Sequence, residues 1–138
     1  MIPRYTGAEM GRIWSDQRKY ETWLQVEIAA VEAMGRAGIV PPEAARDIRD
    51  RARIDIRRIE EIEQVTQHDV IAFTTAVAEQ VGPAARWLHF GLTSSDVIDT
   101  AQALQMRQAC ELIVKGIAAL MQAIRERAEE HRQTPMIG

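Results

Sequence analysis

"SSDVIDTAQALQMRQACELIVKGIAALMQAIRERAEEHRQT", residues 94–134, contains no proline and a single glycine, Gly116. Within it Val97, Ala101, Leu104, Leu112, Ile113, Gly116, Ile117, Leu120, Ile124 and Ala128 recur at three- and four-residue steps, the period of one face of an α-helix. From about Ser95 to Thr134 such a helix would be roughly 55–60 Å long. A compact chain of this length has a diameter of roughly 35–40 Å. The helix must therefore overhang its own domain, and its apolar stripe needs helices from elsewhere to cover it. These residues decide the fold class: an all-α protein, with a small N-terminal helical domain over 1–92 and the start of a central helical bundle over 93–138.

The residues ahead of that helix agree. Thr6 and Glu9 have capping-box spacing for a short first helix. Ser15 and Asp16 can start a second, with Tyr20, Trp23, Leu24, Ile28 and Val31 on one face and Gly35, Gly38 and Pro41-Pro42 ending it. Pro42 suits the first turn of a third helix running to about Arg51, because a proline there forfeits no intrahelical bond. Asp55 is a cap for "IRRIEEIEQV", which places Ile56, Ile59 and Ile62 together. Asp69 stands near the start of "VIAFTTAVAEQV", stopped by Gly82-Pro83. No stretch alternates with the two-residue period of a strand.

Composition narrows the function. A net charge of −3 gives no bulk electrostatic case for nucleic acid or an anionic membrane as partner. No apolar run is long enough to span a bilayer, and "MIPRYTGAEM" lacks a signal-peptide core. The single cysteine, Cys110, cannot make an internal disulfide and is expected to be a small core residue, in a chain whose default location is the reducing cytoplasm. The tail "TPMIG" is more apolar than a usual terminus and is expected to continue into further chain.

Two stretches hold groups suited to chemistry. In "TQHD", residues 66–69, four polar side chains meet a helix start, where free N–H groups and the positive end of the dipole favour an anion. His68 can donate there or move a proton near neutral pH; the plainer alternative is that Asp69 caps the helix and His68 is a loop residue. In "HFGLTSSD", residues 89–96, Thr93 and Asp96 have capping-box spacing. The cap consumes one hydroxyl, so three in a row leave donors to spare for a carboxylate or phosphate, with Gly91 allowing close backbone approach and His89 adding a donor. A cap alone would also explain the pattern. No HxxxH, HExxH or paired-cysteine spacing is present, so no metal site is expected. His131, among Arg127, Glu129, Glu130 and Arg132, reads as solvated surface.

Taken together, "MIPRYTGAEMGRIWSD", "RIDIRRIEEIE", "TQHDVIAFTTAVAEQVG", "WLHFGLTSSDVIDTA" and "TPMIG" resemble, in order and separation, the start of the adenylosuccinate lyases of the fumarase/aspartase superfamily. The resemblance implies elimination of fumarate from adenylosuccinate, giving AMP, and from succinylaminoimidazole carboxamide ribotide, giving AICAR, in purine biosynthesis and without a cofactor. It implies that Arg4, Tyr5, Gln67, His68, Asp69, His89, Thr93 and Ser94 bind substrate. His68 would orient it and assist the general acid, His89 would support the phosphate, and Thr93 with Ser94 would hold a succinyl carboxylate. The family often carries a basic residue at the position of Gln67, so no charge is expected from that position here. It also implies a homotetramer whose active sites each draw on three subunits. The family's general-acid histidine and its catalytic serine loop follow later in the chain than residue 138, so these residues alone are expected to be inactive. The alternative is a helical interaction module that kept the fold without the catalysis.

Overall fold

The computed structural model describes residues 2–137; Met1 and Gly138, the outer letters of the first and last blocks quoted above, lie outside them. The described residues form six α-helices and two 3-10 turns, with no strand among them. A turn at Pro3–Tyr5 leads into α1 (Ala8–Ile13), α2 (Asp16–Arg36), α3 (Pro42–Arg51), α4 (Ile56–Thr66) and α5 (Asp69–Val81). A second turn, Pro83–Trp87, precedes α6 (Ser94–Glu130).

Local chemistry sets most boundaries. Ser15 Oγ accepts the Arg18 N–H at the start of α2, and Asp55 Oδ1 accepts the Arg58 N–H at the start of α4. Pro42 opens α3 as its spacing suggested. The first cap is different. Gly7, not Thr6, precedes α1, and the Thr6 hydroxyl donates instead to the Ile2 carbonyl, closing the turn before it. That bond holds the Thr6 side chain on the turn, and the N-terminus of α1 has no side-chain cap.

The core lies where α2 and α5 meet. Tyr20 and Trp23 contact edge to face at 5.3 Å, and Phe73 stacks on Tyr20 at 6.0 Å and meets Trp23 edge-on at 5.5 Å. Val31, Ile48, Ile59, Val77 and Val97 extend this cluster into α3, α4 and α6. Arg58 braces α4 against α5 through two bonds to Glu79, at 2.9 and 2.8 Å, and a third to Glu61 on its own helix.

At 37 residues, α6 is about 55 Å long. Only its first half is covered: the buried positions are Val97, Ala101, Gln105 and Ala109, one per turn against α2 and α1. Gln105 is a polar member of that row, and its amide donates to the Ile13 carbonyl at 2.6 Å, satisfying the open end of α1. Cys110 is exposed rather than buried, a correction to the expectation above, because the four-residue row passes through Ala109 and leaves position 110 outside. Beyond Leu112 every described residue of α6 is exposed, with Ile113, Ile117, Leu120 and Ile124 among them. Among the described residues no helix is long and apolar enough to cross a membrane.

Candidate functional site

The stretch from residue 66 to 69 joins α4 to α5. Gln67 adopts the left-handed conformation, φ 51°, that ends α4, and its side-chain amide turns back to donate to the Gln64 carbonyl at 2.9 Å. His68 is the cap of α5: its Nδ1 accepts the Ile71 N–H at 3.4 Å. In the neutral ring an accepting Nδ1 leaves the proton on Nε2, and the side chain is about half exposed. Asp69, expected near this helix start, is the first residue of α5, and its Oδ1 accepts the Val70 N–H at 2.7 Å. The cap is thus made by the histidine, not by the aspartate.

The second stretch is built around an unexpected partner. His89 has φ 60°, a left-handed backbone that a β-carbon disfavours. In that conformation its N–H donates to Glu27 Oε2 at 2.9 Å while its Nδ1 meets Glu27 Oε1 at 2.5 Å. Glu27 is fully buried on α2, whereas the His89 side chain is a quarter exposed. Two residues on, Gly91 has φ 72° and open space around its absent β-carbon, so the turn requires glycine for its backbone and not for room. The chain then enters α6. Asp96 Oδ2 accepts the Thr93 N–H at 2.8 Å, the firm half of a capping box whose reciprocal contact, Thr93 Oγ1 to the Asp96 N–H, is looser. Among the described residues, the hydroxyls and N–H groups of Ser94 and Ser95 have no protein acceptor. Donors without protein partners at the start of a long helix favour an anion, through the N–H groups and the dipole together.

Arg4 and Tyr5 lie in the first 3-10 turn, exposed, with the guanidinium 4.8 Å from the tyrosine ring centre. The eight residues singled out in the sequence therefore occupy three places. His89, Thr93 and Ser94 share one helix approach; Gln67, His68 and Asp69 share one interhelical turn; Arg4 and Tyr5 pair at the N-terminal end. The turn Pro83–Trp87 follows the C-terminal end of α5 and packs on it, whereas His68 caps the opposite end of that helix. A cleft of about 530 Å³ between α1, α2 and α6, lined by Arg12, Arg18 and Leu112 among others, contains none of the eight. All eight are exposed or half-buried. The sequence reading missed Glu27. The signal was there: Tyr20, Trp23, Glu27 and Val31 form one buried row, so a carboxylate stands at a core position.

Comparison with known proteins agrees with this architecture. Residues 4–138 match the family model described as Lyase. Over all 138 residues the chain is 51% identical to an adenylosuccinate lyase of Synechocystis and 45% identical to that of Bacillus subtilis, in each case spanning 32% of the relative. The matched third is the N-terminal portion of those enzymes. Among solved structures, a 3-carboxy-cis,cis-muconate lactonizing enzyme from Pseudomonas putida superposes with a TM-score of 0.87 at 29% identity, over 97% of this chain and 32% of that one.

Proposed function

Because the chain belongs to the lyase family, we propose that residues 1–138 supply the substrate-gripping part of an adenylosuccinate lyase, which releases fumarate from adenylosuccinate and from succinylaminoimidazole carboxamide ribotide in purine biosynthesis. The observation that carries the reading is the unclaimed set of donors at Ser94 and Ser95, at the start of α6 and five residues after a histidine tied down at Nδ1. Both substrates are polyanions, and such donors suit carboxylates and phosphate.

The chemistry divides accordingly. Removing a proton beside a carboxylate builds up negative charge that donors already in place must stabilise. The departing nitrogen must gain a proton. Thr93 and Ser94 hold a succinyl carboxylate, His89 supports the phosphate, and His68 presents Nε2–H to the substrate and assists the acid. Gln67 and Asp69 orient it from the same turn, and Arg4 with Tyr5 approach from the N-terminal side. No cofactor enters. Residues 1–92 serve as the N-terminal domain and 93–138 begin the central bundle, whose assembly into a cytoplasmic homotetramer would cover the bare half of α6.

The test uses a chimaera in which these residues replace the matching segment of the Bacillus subtilis enzyme. Ser94→Ala should raise KM for adenylosuccinate by roughly tenfold or more, since a charge-assisted bond contributes about 1.5–3 kcal/mol in ground and transition states alike. His68→Ala should act chiefly on kcat, because its interaction strengthens as charge moves. Unchanged kinetics in both, with only a lowered melting temperature, would make these residues caps and nothing more.

A further inference from the structure

Among the described residues Glu27 is the one carboxylate in the core, and the proposed site does not use it. It is completely buried, and among the described residues the only basic group within ion-pair distance of it is the His89 imidazole. An unpaired carboxylate at such a depth costs several kcal/mol, so the fold must obtain something for keeping it. Both of its oxygens are spent on a single residue, the N–H and the Nδ1 of His89. That double grip requires the left-handed backbone at His89, an uncommon state for a residue with a β-carbon. Strain and burial are thus both accepted in order to hold one ring.

The geometry constrains the ring. With Glu27 ionised, its two oxygens can only accept, so Nδ1 carries a proton, and the imidazole cannot rotate without breaking the bond. Nε2, on the opposite side of the ring, is left as the free atom of a partly exposed side chain. For Nε2 to donate to an anion it too must carry a proton, making the ring a cation. Glu27 is the buried counter-charge that balances it. We infer that Glu27 is a positioning residue for anion binding: through His89 Nδ1 it fixes the orientation and charge with which Nε2–H meets the phosphate of the substrate. The inference rests on the proposed function for the identity of that anion, and on the structure alone for the locked ring.

Two measurements test it separately. In this chain, ring-nitrogen NMR of His89 should show a protonated Nδ1 with a strongly deshielded, exchange-protected proton that is lost in Glu27→Gln. A His89 ring protonated on Nε2 alone would overturn the inference whatever the enzyme does. In the chimaera, Glu27→Gln and His89→Ala should each raise KM for adenylosuccinate by about tenfold with a smaller effect on kcat, as expected for losing a charge-assisted contact. The double variant should be no worse than His89→Ala alone, because Glu27 acts only through the ring. Independent, multiplying effects would make Glu27 merely structural and overturn the claim. A locked ring in a chimaera whose KM ignores both substitutions would instead count against the phosphate reading.

Discussion

At the scale of single residues, the start of α6 separates two roles that the sequence left merged. Either Thr93 or Ser94 could have been the cap. The structure gives the cap to the Thr93–Asp96 pair and leaves the Ser94 hydroxyl without a protein partner among the described residues. Asp96→Ala should therefore lower stability by about 1 kcal/mol, the usual cost of a lost cap, while Ser94→Ala should stay within about 0.5 kcal/mol, as for a surface change away from such features. Equal losses in thermal melts of the two variants would return Ser94 to the cap. The spacing between Thr93 and Asp96 was legible because a capping box is a local pattern. Glu27 was only half legible: its place in the row of Tyr20, Trp23 and Val31 marks a core position, but the partner that holds it, 62 residues away, belongs to no local pattern.

At the scale of elements, the boundaries set by proline, by Ser15 and by Asp55 were readable from the chain, since each depends on atoms within three residues. Thr6 and Cys110 were misread for opposite reasons. The first lost its cap role to a competing turn, and the second missed a buried row by one position. What joins the elements was not readable at all. The Arg58–Glu79 brace between α4 and α5 is such a link. Hydrogen bonding by the guanidinium holds the Glu79 carboxyl below the ordinary glutamate range. A carboxyl lowered in the fold adds stability that is fully present above the ordinary value. That stability is lost as pH falls through the lowered one. Glu79→Gln should accordingly flatten the fall in melting temperature between about pH 5 and pH 3, a comparison made by thermal scans across that range. An identical slope in the two proteins would show that the brace is not felt.

At the scale of the whole molecule, the chain spans about a third of the length of the curated relatives it matches. Half of α6 holds its apolar residues in solvent, which costs on the order of 1.5–3 kcal/mol for each large side chain that a partner helix could cover. The candidate residues are likewise exposed or half-buried, in three separate places on this chain. An overhang this long was predictable because a helix of known rise must outrun a domain of known size. The placement of the candidate residues was not, because three turns far apart in sequence share no local pattern that says where each lies on the surface. The most direct measurement is the release of fumarate from adenylosuccinate, followed by absorbance, for the 138-residue chain and for the chimaera carrying it. The account predicts no turnover by the chain alone and turnover close to that of the Bacillus subtilis enzyme by the chimaera. A folded, assembled chimaera that does not cleave adenylosuccinate, or a chain that cleaves it unaided, would contradict it.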